Sequence, residues 1–199
     1  MKTISPKDLN NLQLQTLLQT AIAPRPIALA STINKDGNVN LSPFSFFNMF
    51  STNPPVVIFS PSRRVRDNTT KHTLENVHEV AEVVIGIVNY NIVQQISLAS
   101  TEYEKGVNEF VKSGLTMKEA DLVKPQLIEE CPVNLECKVR EIKSWGTQGG
   151  AGNLVIFEII KIHVREEYLN EEGNLDQKKL DLVARLGGNW YSRNNEKNL

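Results

Sequence analysis

Residues Ala23–Asn76, APRPIALASTINKDGNVNLSPFSFFNMFSTNPPVVIFSPSRRVRDNTTKHTLEN, hold the reading that decides the fold. Ile27–Ile33 is apolar and β-branched enough for a strand, and Lys35-Asp36-Gly37-Asn38 supplies turn residues that close a hairpin onto Val39-Asn40-Leu41. Ser42–Asn48 then crowds Phe44, Phe46 and Phe47 among small hydroxyl residues. Such a loop offers backbone N–H groups and flat apolar faces to a planar heteroaromatic ligand. After Asn53-Pro54-Pro55, the run Val56–Ser60 predicts a strand buried on both faces. Ser62–Thr73 is rich in cations and hydroxyls and leads into a helix over Thr73–Glu79, whose first N–H groups favour an anion.

On the N-terminal side, the leucine spacing of Met1–Gln19 predicts a short amphipathic turn or helix packed over the sheet, and the prolines around Arg25 predict an extended lead-in to the first strand. On the C-terminal side, Val83–Val88 reads as a buried strand and Ile92–Ser100 as a helix. Residues 102–123 form an excursion with one short helix. Leu135–Ile142 alternates as a half-exposed strand, Gly146–Gly152 is a flexible hairpin tip, and Leu154–Val164 returns as a long strand. Tyr168–Leu180 is turn-rich, Arg185–Tyr191 lies in a closing loop, and residues 193–199 form a fraying tail. Six or so neighbouring strands close most naturally into an antiparallel barrel, so the fold class is mainly β with peripheral helices.

A chain of 199 residues suits one domain, 1–199, with one core. A formal charge of -1 gives no reason to expect nucleic acid or an acidic membrane surface. The opening MKTISPKDLNNLQ lacks the apolar core of a signal peptide, and no run approaches the ~18 apolar residues of a membrane span. A reducing cytoplasm is the expected location, with Cys131 and Cys137 free. No metal site is expected, because His72, His78 and His163 stand in no ligand spacing with each other or with either cysteine. GxSxG and GxGxxG are both absent; Gly146–Gly152 reads GTQGGAG on a hairpin, so a Rossmann nicotinamide site has no support.

PRPIALAST, DGNVNLSPFSFFN, NPPVVIFS and KHTLEN, in this order, together with Cys131–Cys137 and Arg185–Tyr191, make the chain resemble the flavin reductase-like family of FMN-binding split-barrel proteins, which includes flavoredoxin. The resemblance implies a homodimer with FMN at the subunit interface, reduced by NADH or NADPH and passing electrons to free flavin, a small acceptor or a partner protein. An FMN electron carrier without direct nicotinamide activity is the alternative, and a barrel kept as a cofactor-free interaction module is a third. No side chain is expected to be catalytic, since the flavin ring carries the chemistry.

The resemblance puts Ser31, Thr32, Lys71, Thr73 and Asn76 near the ribityl phosphate, with Arg64 or Arg63 adding a charge-assisted bond. It puts Asn40, Ser42, Ser45, Phe46, Phe47 and Asn48 at the ring. Arg185 and Tyr191, with Gly187, Gly188 and Trp190, either cover the flavin edge, in cis or in trans, or fill an interface. His72 stands where many members have Asp. The bland readings are a solvated basic loop at Arg63–Lys71, a helix cap at Thr73 and phenylalanines that are simply core.

Overall fold

Alternation along the first hairpin sends its side chains to two different cores. In this computed structural model, which describes residues 1–194, β1 (Ala28–Ile33) pairs antiparallel with β2 (Val39–Phe44), and Gly37 takes the left-handed conformation that the turn between them requires. Ala28 and Ala30 point into one apolar cluster with Phe44, Phe59, Val83, Ile85 and Phe157, while Leu29 points into another with Leu41, Val84, Ile96, Phe110 and Ile128. The sheet is therefore buried on both faces here.

Along the chain follow β3 (Phe47–Thr52), β4 (Pro55–Phe59), β5 (Glu82–Ile87), a two-residue hairpin β6 (Met117–Lys118) and β7 (Leu127–Ile128), the long pair β8 (Val133–Ser144) and β9 (Asn153–Val164), and a terminal hairpin β10 (Val183–Arg185) and β11 (Tyr191–Arg193). Among the described residues, the α-helices around them are α1 (Asn11–Ala21), α2 (His72–Glu79), α3 (Val93–Ala99), α4 (Glu109–Ser113) and α5 (Gln177–Leu180). The main sheet runs β2-β1-β5-β8-β9-β4-β3, all antiparallel. Its two edge strands, β2 and β3, are joined only by Ser45 and Phe46. A link that short spans roughly 11 Å, so the edges must meet and the sheet curl into a barrel. No ladder closes the seam between them, and there the barrel is split. The expected class, mainly β and antiparallel with peripheral helices, is the observed one.

Several local expectations need correction. The aromatic stretch after Phe44 is strand from Phe47 onward, because its backbone pairs with β4. β4 is buried on one face only: Val57 and Phe59 enter the core, where Phe59 stacks on Phe44 at 4.9 Å, and Ile58 turns outward. The first five residues of β8 are all buried, since Val133, Leu135 and Cys137 face the barrel interior while residues 121–128 cover Asn134 and Glu136 on the other face. α1 is helical, as the leucine spacing implies, yet buries none of its residues. The closing loop is the tip of the β10–β11 hairpin. Arg193, expected in the tail, ends β11 and pairs with Asp181 at 2.7 Å; residues 195–199 lie outside the described residues. Both cysteines are free and buried, Cys131 in one cluster and Cys137 in the other. No helix is long and apolar enough to cross a membrane among the described residues.

Candidate functional site

α1, the Ser45–Asn48 turn, the outer face of β4, residues 62–66 and the β8–β9 hairpin tip enclose a cavity of about 1040 Å³. That is the upper end of the ~300–1,000 Å³ usual for small-molecule sites. Leu14 and Leu18 of α1 and Ile22 just past its end face it together with Phe46, Phe47, Phe50 and Ile58, which explains why α1 is apolar yet unburied and why β4 reads as a continuous apolar run. The remaining wall is cationic: Arg63, Arg64, Arg66 and Lys71 line it, with Glu102 among them.

Backbone pairing fixes this cationic wall. Arg63 N donates to Ala151 O at 2.9 Å and Gly150 N to Arg63 O at 3.0 Å, so the hairpin tip expected to be flexible is tied to the segment it faces. A Cβ on Gly149 would lie 2.9 Å from Val65 Cα and 3.0 Å from Arg64 O, a close approach that only glycine permits. The Arg63 guanidinium is spent on Asn68, at 2.9 and 2.6 Å. Arg64 donates to Thr69 Oγ1 at 3.0 Å and to the Thr70 carbonyl, and keeps its Nε toward Glu102. Lys71 is the N-cap residue of α2, whose first turn receives no side-chain cap from it.

Of the residues singled out from sequence, Ser45, Phe46, Phe47, Asn48, Arg64 and Lys71 are brought together on this cavity. The others are elsewhere in this chain. Asn40 and Asn76 line a separate polar cavity of about 210 Å³, beside His72, Lys105 and Glu109. Asn40 Nδ2 donates to Thr73 Oγ1 at 2.9 Å and Asn76 Nδ2 to Thr32 Oγ1 at 3.1 Å, so these four knit α2 to the first hairpin. Ser31 is wholly buried and its Oγ has no partner. Ser42 lines neither cavity. Arg185 and Tyr191 pair with each other across β10–β11, guanidinium 4.6 Å from the ring centre. Gly187 approaches Thr20 of α1, where a Cβ would be 2.3 Å from Oγ1, and Trp190 is exposed.

Sequence reasoning missed Arg25, which lines the cavity at 8% exposure. Its guanidinium donates to the carbonyls of Gln19, Ile22 and Leu186 and lies 3.4 Å from Ser45 Oγ, joining α1, the C-terminal hairpin and the aromatic turn. Burial and the nearby Arg185 push its pKa down. The prolines on either side drew attention to the backbone; the one available signal was a cation between two apolar strand leads.

His163 does meet carboxylates that the Cys/His spacing could not reveal: ligand atoms of Asp121, Glu136 and His163 lie within 4.8 Å of one another. The group is internally satisfied. Glu136, fully buried, accepts from the backbone N–H of Asp121 and Leu122 at 2.9 and 2.6 Å and lies 2.6 Å from His163 Nε2, while Lys161 pairs with Asp121. Burial pushes the Glu136 carboxyl up, but His163 and the two N–H donors bring it below the ordinary value. It acts as a pin holding residues 121–122 against β8.

A family model described as Flavin reductase like domain matches residues 20–181. An uncharacterized protein of Aquifex aeolicus is 35% identical over 185 residues, which cover 93% of this chain and 92% of that one. The crystal structure of nitrilotriacetate monooxygenase component B from Bacillus cereus superposes with a TM-score of 0.92 at 27% identity, covering 100% of this chain and 98% of its own. A Shewanella frigidimarina structure described as having a split barrel domain superposes at 0.83 with 24% identity, covering 100% and 98%, and agrees with the barrel derived above.

Proposed function

Since the chain belongs to the Flavin reductase like domain family, we propose that it is an FMN-dependent oxidoreductase acting as a homodimer in the cytoplasm, one domain over 1–199. Bound FMN would take hydride from NADH or NADPH and pass electrons to free flavin, a small acceptor or a partner protein. The observation that carries this reading is one cavity in which an aromatic and aliphatic wall adjoins a cluster of cations. A flavin mononucleotide makes that pair of demands: apolar cover for a flat ring, and charge-assisted donors for a phosphate.

Arg64 and Lys71 would hold the phosphate. Arg64 is the better placed of the two guanidiniums, because Asn68 occupies that of Arg63. Phe46 and Phe47 would cover the ring, with the main chain of Ser45–Asn48 offered to its polar edge. α1 and the residue after it would exclude water from the other side through Leu14, Leu18 and Ile22. Asn40, Thr73, Asn76 and Thr32 support the site by fixing α2, whose first residue follows Lys71. No acid or base from the chain is required. Arg185 and Tyr191, absent from this cavity, would reach a flavin only across a subunit interface.

The protein as isolated is expected to be yellow, with about one FMN per subunit, and to bleach rapidly on mixing with NADH or NADPH. A colourless preparation that takes up no added FMN would overturn the reading. Slow bleaching followed by fast reoxidation by another redox protein would replace the reductase with a carrier.

A further inference from the structure

Three cations of the cavity wall share one acid. Glu102 Oε1 lies 3.1 Å from Arg64 Nε and 3.4 Å from Lys71 Nζ, and its Oε2 lies 3.2 Å from Arg66 Nη2. The residue opens the 102–123 excursion, and the same segment is fastened again by Lys105, 3.0 Å from Glu75 on the first turn of α2. Burial pushes the Glu102 carboxyl up, but Lys71 and Arg64 draw it below the ordinary value, so it is ionised at neutral pH.

Its side chain is 41% exposed. Ion pairs of that exposure contribute only ~0–1 kcal/mol to folding, so stability gives little reason for the acid to be there. Its sign is also opposite to what maximal affinity for an anion would call for. A carboxylate among Arg64, Arg66 and Lys71 occupies the donors that an incoming phosphate would use, and repels it.

We infer that Glu102 is a specificity-determining residue: an internal counter-anion that a phosphate must displace from Arg64 and Lys71, which lowers affinity for phosphorylated flavins and leaves that for an unphosphorylated flavin untouched. The inference rests on the flavin reading of this cavity. A terminal phosphomonoester, near two negative charges at neutral pH, outcompetes one carboxylate. The pyrophosphate of FAD spreads two negative charges over two phosphorus atoms, so the charge set directly against the carboxylate is smaller and is repelled less. A flavin with no phosphate leaves the ion pairs intact.

The test compares wild type with Glu102→Gln, which keeps the shape and loses the charge. Affinities for FMN, FAD and riboflavin are read by flavin fluorescence, and binding of inorganic phosphate by thermal shift. FMN is expected to bind roughly five- to tenfold more tightly to the variant, the scale of one screened charge pair near a surface. FAD gains no more than FMN, riboflavin is unchanged, and phosphate stabilises the variant at lower concentration than the wild type. Unchanged or weaker FMN binding, or a parallel gain for riboflavin, overturns the inference. So does an equal gain in Lys105→Gln, which loosens the same segment without removing the acid. If the wild type binds no FMN, the flavin reading fails, and the phosphate arm alone decides whether Glu102 competes with anions.

Discussion

Glu109 is 5% exposed, and one of its carboxylate oxygens accepts from Leu41 N at 3.0 Å. Burial pushes its pKa up, against the downward pull of the Leu41 N–H and its own. The sign follows directly: a carboxyl whose folded pKa is raised favours folding below its unfolded value and costs stability as pH rises through the folded value. Glu109→Gln, which keeps an acceptor for Leu41 N, is therefore expected to melt higher than wild type at neutral pH, with the difference closing below about pH 4.3, the ordinary glutamate value. Melting curves at several pH values decide it; a neutral-pH loss would show that the charge is used. Lys71 is the complementary case, a half-exposed cation whose nearest partner is Glu102. Lys71→Gln is expected to weaken FMN about tenfold and leave riboflavin alone, in line with a hydrogen bond to a charged group worth ~1.5–3 kcal/mol less its exposure; equal loss for both flavins would place the phosphate elsewhere. The sequence signal separated such residues poorly. Lys71 and Thr73 stand two apart in one polar run, yet α2 turns the first outward to the cavity and the second inward to Asn40.

The least anchored wall of the cavity is an element rather than a residue. α1 buries no side chain, and what holds it are Arg25 at its C-terminal end, the Gly187 contact at Thr20, and Asn11 Nδ2 on Gly149 O at 3.2 Å. Its own start is a capping box, with Asn10 Oδ1 accepting from Gln13 N at 2.9 Å and Gln13 returning the bond at 3.0 Å. Asn10→Ala removes that cap at a cost of ~1 kcal/mol to the helix. Because the helix covers a cavity and not the core, the melting temperature is expected to hold while flavin affinity falls roughly fivefold, the same ~1 kcal/mol expressed in binding. A drop in melting temperature with affinity unchanged would make α1 a packing helix after all. Here the periodicity was legible and its partner was not: a leucine stripe looks the same whether it covers a core or a ligand cleft. The same ambiguity explains β4, whose run Val56–Phe59 is apolar on both faces because Val57 and Phe59 meet the core and Ile58 meets the cavity. The strand pairing that extends the aromatic turn into β3 depends on residues far along the chain, and no local pattern could announce it.

At the scale of the molecule, the seam that splits the barrel is also where apolar surface remains uncovered. β3 is an edge strand with Met49 and Phe50 62% and 64% exposed, and Phe50 belongs at the same time to the cavity wall. Leu12 and Leu17 of α1 and Trp190 add to the exposed apolar residues. Unprotected edges are normally blunted by charge, proline or cover, and residues 47–52 carry no charge at all. A second copy of the chain laid over this edge would cover it and close the open side of the cavity at one stroke, and the homodimer proposed above would supply that copy. Light scattering on the wild type is then expected to give twice 22.4 kDa. Phe50→Glu places a charge in that contact, and loss of a central aromatic costs ~2 kcal/mol or more, a dissociation constant raised at least ~30-fold. Dimer and flavin should be lost together, since a cavity with one wall in the partner is incomplete in the monomer. A wild type that is monomeric and still binds FMN tightly would mean that each chain closes its own site, with the exposed edge of β3 left to some other purpose.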